Sequence, residues 1–146
     1  MNQRLKFAET APEAYAAVLG MEKYCRKSVD PVVYELVKLR ASILNGCSFC
    51  VDMHSRDALE AGETPQRLFG VGAWHDAPFY TGKERAALAL TDAVTKLGDH
   101  GVPDEVWDQA AAVWDDKELA DLLTAIATIN VWNRLMISTQ TPPPLR

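Results

Sequence analysis

Helix-start and helix-stop signals recur along this chain so regularly that they leave room for little besides α-helix. Asp30-Pro31, Thr64-Pro65 and Pro103 place proline where the first N–H of a helix needs no partner, the first two behind a capping side chain. Thr81-Gly82-Lys83-Glu84 and Asp115-Asp116-Lys117-Glu118 have the reciprocal spacing of a capping box. Gly46 and Gly62 stop helices, and Pro142, Pro143 and Pro144 forbid continuation of the last one. No run of alternating apolar and polar residues with β-branched enrichment competes with this pattern. The chain is therefore expected to be all-α, with helices from Pro12 to about Cys25, Pro31 to Asn45, Ser48 to before Gly62, Pro65 to about Ala73, Thr81 through Leu97, Pro103 to near Trp114 and Asp115 to about Ser138. Val32, Leu36, Leu39 and Ile43 recur at helical spacing and should form the buried stripe of the second helix. With no fixed-period repeat and no long linker, residues 1–146 read as a single domain, a bundle of about seven helices around one core.

Composition narrows what such a bundle can do. Hydrophobic residues make up 48% and charged residues 24%, the balance of a packed globular protein rather than a disordered one. The net charge of -5, with its basic residues scattered, would repel a phosphate backbone, so no nucleic acid partner is expected. No run approaches the roughly 20 apolar residues of a membrane span, and the first residues lack the apolar centre of a signal peptide. A cytoplasmic protein without a membrane partner is the expectation. GVGAWH (70–75) lacks the third glycine and the strand that a dinucleotide loop needs, so no cofactor is expected. The apolar segment LLTAIATINVWNRLMI (122–137) is longer than a small monomer easily covers and points to a homo-oligomer.

The chemistry concentrates in CSFCVDMH (47–54). Three cysteines are an odd number, and in a reducing compartment a close pair is more often catalytic or metal-binding than a permanent crosslink. On a helix Cys47, Cys50 and His54 stand at i, i+3 and i+7 and share one stripe. Positions three apart have α-carbons about 5 Å apart, within the reach of a disulfide that opens and closes with little backbone movement. Both thiols fall in the first turn of their helix, where unpaired N–H groups and the dipole favour an anion and lower a thiol's pKa. The dipole alone favours Cys47 as nucleophile, whereas His54, one turn from Cys50, can exchange a proton with that thiol. Two thiols and a histidine are also zinc ligands, with Glu35 as a fourth, but structural zinc usually draws on a second ligand pair elsewhere, and no metal is assigned. Simple core packing is the bland reading of the pair, and for Cys25 packing or an inert surface position is the preferred one. Glu35, on the preceding helix, is a further proton carrier. In a straight antiparallel hairpin about Gly46 it would lie opposite Ala58, a turn past His54, and would need a crossing angle or a water to reach it. Asn130, Asn133 and Arg134 are polar in an apolar helix and either line an interface or cap the pocket.

Glu35, eleven intervening residues, CSFC, three residues and His54 together resemble the core motif of the alkylhydroperoxidase D-like (AhpD-like) branch of the carboxymuconolactone decarboxylase family. The likeness continues through residues 73–97 and 129–143. The resemblance implies an AhpD-like all-α fold assembled as a trimer or hexamer, and a thiol-dependent peroxidase that reduces a small-molecule peroxide without a cofactor. By motif position it makes Cys50 the thiol that attacks peroxide, and so the one expected to be the more acidic. It makes Cys47 the partner that closes the disulfide, and Glu35 and His54 the residues that move protons. It also implies a dithiol reductant, such as a lipoyl-bearing protein. One departure is Phe49, where some peroxidase members of the family carry histidine. A redox sensor that uses the same pair without peroxide turnover is the alternative, and lactone decarboxylation, to which the CxxC pair does not contribute, ranks below both.

Overall fold

The computed structural model describes residues 2–146. Helices α1 (Phe7–Thr10), α2 (Pro12–Ser28), α3 (Pro31–Asn45), α4 (Ser48–Glu60), α5 (Pro65–Gly70), α6 (Gly82–Thr95), α7 (Asp104–Ala111) and α8 (Asp116–Thr139) follow in chain order, with a 3₁₀ turn at Val71–Ala73 between α5 and α6. Among the described residues there is no strand, only an isolated bridge between Gly98 and Gly101. The fold is all-α as expected, with one helix more than the seven anticipated. The extra element, α1, is a single turn without a capping side chain, so no local signal announces it. Helices α6 and α7 also end two or three residues earlier than the sequence suggests. Leu97, left outside α6, is exposed, while Trp114 beyond α7 is buried and joins the core.

The start signals operate as read. Asp30 Oδ1 accepts the N–H of Val32 at 3.0 Å and of Val33 at 3.1 Å. Thr81 with Glu84, and Asp115 with Glu118, close complete capping boxes at the starts of α6 and α8.

Helix α3 is the centre of the molecule, packed against α4, α6 and α8, while α2 lies along α8. One apolar cluster joins α2, α3, α6 and α8 around Val37, Leu90, Leu122 and Ile126. A second joins α3, the 3₁₀ turn and α6 around Leu36, Leu39, Val71 and Leu88. A third joins α3, α4 and α8 around Ala41, Cys47, Cys50, Ile129 and Met136. This arrangement corrects the single-stripe expectation for α3. Val32 and Ile43, at its two ends, are 44% and 37% exposed, whereas every residue from Val33 to Ser42 is buried. A helix with neighbours on several sides has no solvent face, so even Glu35, Lys38 and Arg40 lie inside.

Buried charges persist only where each is paired and hydrogen-bonded. Lys38 is completely enclosed, and its ammonium meets Glu22 of α2, whose Oε1 also accepts the Tyr34 hydroxyl. The other carboxylate oxygen of Glu22 accepts Trp132 Nε1 at 3.1 Å, and the Lys38 ammonium sits 4.4 Å from the centre of the Tyr34 ring. Arg40 grips Asp92 of α6 with two bonds, at 2.6 and 2.9 Å, and donates to the Gly72 carbonyl at 3.0 Å. Glu35 takes its partner from α4.

Along α8 the positions Leu122, Ala125, Ile126, Ile129 and Met136 are buried within one chain, leaving Val131 and Ile137 partly exposed. Of the eleven apolar positions in residues 122–137, five are thus buried by this chain's own core, while Leu123, Trp132 and Leu135 are half-buried and Ala127, Val131 and Ile137 are exposed. Among the described residues, no helix is long and apolar enough to cross a membrane. The buried pair yields a prediction: Glu22→Ala, which strands the Lys38 ammonium, should cost about 3 kcal/mol or more in urea unfolding, whereas the double change Glu22→Leu with Lys38→Met should recover most of that loss.

Candidate functional site

The site begins with a chain reversal. Gly46 adopts a left-handed conformation (φ 72, ψ 32) that costs a residue with a Cβ more than glycine. Its N–H reaches the Ile43 carbonyl at 3.1 Å, and the Cys47 N–H reaches the Ser42 carbonyl at 2.9 Å, the bond pattern of a Schellman stop. Cys47 therefore closes α3 and, in the same step, is the capping residue of α4. It stands just outside the first turn of α4 rather than within it as expected, with Cys50 one turn on. The two sulfurs are 2.8 Å apart, both cysteines are free, and each is only 1% exposed.

The two thiols shift in opposite directions as a linked pair. Cys47 is drawn down to about 7, chiefly because the Cys50 thiol hydrogen-bonds to it; burial opposes this, while the backbone N–H groups of Cys50 and Phe49 and the Asn133 side chain assist. Cys50 is pushed up, first by its hydrogen bond with Cys47 and then by burial and the Cys47 charge, with Asn133 and the Lys38 ammonium pulling the other way. Acidity in the resting pair thus falls on Cys47. The direction for Cys47 is the one the dipole argument favours, because Cys47 is the group placed over the open N–H groups of the helix end.

His54, one turn beyond Cys50 on α4, is fully buried, and its Nδ1 lies 2.9 Å from Glu35 Oε2. Contact is direct and needs no bridging water, because α3 and α4 meet with Glu35 a turn earlier along α4 than a straight antiparallel hairpin allows. The two basic side chains near Glu35 on α3 are engaged elsewhere, Lys38 with Glu22 and Arg40 with Asp92. An ionised Glu35 holds the proton of the imidazole on Nδ1 and leaves Nε2 as an acceptor. That Nε2 is buried and has no protein partner, which suits it to exchange a proton with a reacting group. Asp57, half-buried, completes a cluster in which the ligand atoms of Glu35, His54 and Asp57 lie within 4.8 Å of one another. Among the described residues, the zinc set of two thiols, His54 and Glu35 is not gathered.

Two further groups of residues support the site: one was noted in the sequence without this role, and the other was not noted at all. Asn133 of α8 is completely buried behind the dithiol. Its Oδ1 accepts Asn45 Nδ2 at 2.9 Å and its Nδ2 donates to Ser42 Oγ at 3.0 Å, so the amide is locked facing the sulfurs. Asn130 and Arg134 sit farther out, with Arg134 exposed and donating to Asn130 Oδ1 at 2.8 Å. Asn133 thus supports the thiols from within rather than capping the pocket from outside. The signal was an amide between the core residues Ile129 and Met136, at positions that share their helical face. Glu22 and Lys38 form the second group, for which spacing alone held no signal. Cys25 is buried beside Thr128, and burial raises its thiol, which is the packing role expected of it.

The rate of alkylation of the reduced protein should rise with pH about a midpoint near 7, and Cys47→Ser should move that midpoint upward. If the variant keeps the midpoint near 7, the anion sits on Cys50. Stability gives an independent reading with a definite sign. An acid that is stronger in the fold than in the unfolded chain, as Cys47 is relative to its ordinary value of 9.0, adds stability as pH rises through that interval and loses it as pH falls through about 7.

Residues 10–93 match the carboxymuconolactone decarboxylase family. The chain is 40% identical over 139 residues to the uncharacterised protein YdfG of Bacillus subtilis, covering 94% of this chain and 95% of that protein. It is 30% identical over 84 residues to the alkyl hydroperoxide reductase AhpD of Gluconacetobacter diazotrophicus, covering 58% of this chain and 43% of that protein. A crystal structure of a protein of unknown function from Agrobacterium tumefaciens superposes with a TM-score of 0.96 at 38% identity, covering 99% of this chain and 100% of that one.

Proposed function

This chain belongs to the carboxymuconolactone decarboxylase family, and from that membership and the geometry of its dithiol we propose that it is a thiol-dependent peroxidase of the alkylhydroperoxidase kind. The observation that carries the reading is the pair of buried sulfurs 2.8 Å apart, with a buried Glu35–His54 pair one helical turn away. Likeness to an alkyl hydroperoxide reductase over part of the chain supports it.

In this reading Cys50 attacks the outer oxygen of a hydroperoxide as its own proton moves toward the Cys47 thiolate. The O–O bond breaks, Cys50 becomes a sulfenic acid, and the departing alkoxide takes up one proton through His54 and Glu35, which restores the Cys47 anion. Cys47 then attacks the Cys50 sulfur, an S–S bond forms, and the displaced hydroxide leaves as water after gaining a proton. The sum is one peroxide reduced to an alcohol and water and two thiols oxidised to a disulfide. An external dithiol, of which a lipoyl group is one form, returns the pair to its reduced state. Phe49 is apolar, so His54 and Glu35 carry the proton traffic without a third polar group between the cysteines. Membership of the family also leads us to propose a homo-oligomer, testable by light scattering at micromolar concentration.

Treatment with a hydroperoxide should remove two hydrogens from the mass of the chain, and a dithiol should restore them. With dithiol in excess, peroxide should be consumed over many turnovers. Oxidation that stops after one equivalent would favour a sensor instead. Either Cys47→Ser or Cys50→Ser should abolish turnover, and His54→Ala should slow the oxidation step by about 10²-fold, the usual scale for losing a general acid or base.

A further inference from the structure

Although their sulfurs nearly touch and both are buried, the two cysteines belong to the walls of different cavities. Cys50 lies in the wall of a cavity of about 230 Å³, whose other walls are Tyr15, Leu19, Met53, Trp132 and Met136, with Glu22 and Arg26 as its charged members. Cys47 lies in the wall of a second cavity, of about 370 Å³, bounded by Ser48 and by Gln140, Thr141, Pro142 and Pro143 of the segment that follows α8. Phe49 and Met136 line both cavities, and they also line a third, of about 280 Å³, that shares Tyr15 with the first and Thr141 with the second. Both spaces are walled mainly by apolar groups and the first is large enough for a small alkyl or aryl group, while the second adds the hydroxyls of Ser48 and Thr141 and the amide of Gln140.

We infer that the dithiol is served through two entrances: an organic hydroperoxide with an apolar body reaches Cys50 through the first cavity, and the thiol reductant reaches Cys47 through the second. This rests on the dithiol cycle proposed above and adds a direction to it. The reductant thiolate attacks Cys47 of the disulfide, a new S–S bond joins it to Cys47, and Cys50 departs as a thiolate. A second thiol of the same reductant then attacks its own bonded sulfur and releases the Cys47 thiolate. The electron pair lost by the dithiol is the pair gained by the protein disulfide.

The raised acidity constant of Cys50 does not oppose this order. Its first-ranked cause is Cys47, which is tied up in the mixed disulfide and carries no charge at that moment. The Lys38 ammonium and the Asn133 amide then act on the departing Cys50 sulfur without that opposition. Access decides which sulfur is attacked when leaving-group preference is relaxed.

The test uses the full chain oxidised with diamide, so that the reductive step is read whether or not peroxide is the physiological oxidant. A brief exposure to glutathione, quenched with acid, should leave the glutathionyl group on Cys47, located by fragmentation of the peptide that holds both cysteines. A group on Cys50, or on both, overturns the inference. In a second arm, Thr141→Trp should slow reduction of the diamide-formed disulfide by dithiothreitol about tenfold more than it slows oxidation by cumene hydroperoxide, and Leu19→Trp should show the opposite bias. The same bias in both variants, or none in either, also overturns it. If neither cumene hydroperoxide nor hydrogen peroxide oxidises the pair, the peroxidase reading and the Cys50 entrance fall together, while the glutathionyl position still decides the Cys47 entrance.

Discussion

A helix that is buried on all sides yet carries three ionic side chains must recruit a partner for each, and in this protein each partner comes from a different helix. Lys38 draws Glu22 from α2, Arg40 draws Asp92 from α6, and Glu35 draws His54 from α4. Apolar contacts are non-directional and tolerate small slides between helices, whereas an unpaired charge in the interior costs several kcal/mol. These three pairings therefore set the register of the bundle around α3. The Glu35–His54 pair belongs structurally to the same set as the other two, which is why a proton-carrying imidazole can be held completely buried without a rigid loop around it.

The reversal at Gly46 adds the second half of the site. Because a single residue serves as the end of α3 and the cap of α4, the distance along the chain from Glu35 to Cys47, and from Cys47 to His54, contains no loop that could flex. The thiols inherit their placement from helix geometry and their acid–base behaviour from each other. Asn133 reaches them from α8 with an amide whose orientation is fixed by Asn45 and Ser42. Four of the eight helices thus contribute to one cluster of chemistry: α2 through Glu22, α3 through Glu35 and Lys38, α4 through the thiols and His54, and α8 through Asn133.

Local signals in the sequence were sufficient where the physics is local. Proline at first positions, the two capping boxes and Gly46 located most of the helix boundaries, and the spacing of Cys47, Cys50 and His54 placed them on one stripe before any packing was known. What depends on packing was less legible. The four-residue stripe assigned to α3 assumed a helix with one wet face, and its end members Val32 and Ile43 are the residues the fold leaves outside. Glu35 seemed a turn out of reach of His54 because the angle at which two helices cross is not written in either of them. Lys38 and Glu22, sixteen positions apart on separate helices, had no periodic relation to reveal them.

The capping position of α4 has a further consequence. Helices usually begin with an oxygen-bearing side chain that satisfies the first N–H groups, and here the residue is a cysteine that makes no such bond as a neutral thiol. As a thiolate it accepts the backbone N–H groups of Phe49 and Cys50 and supplies the missing cap. A disulfide removes that charge and uncaps the helix again. The helix start thus favours the reduced state over the oxidised one by the worth of a cap, about 1 kcal/mol, which displaces the midpoint potential by roughly 20 mV toward a more oxidising couple. The folding energy of α4 and the electron affinity of the dithiol are, to that extent, a single quantity.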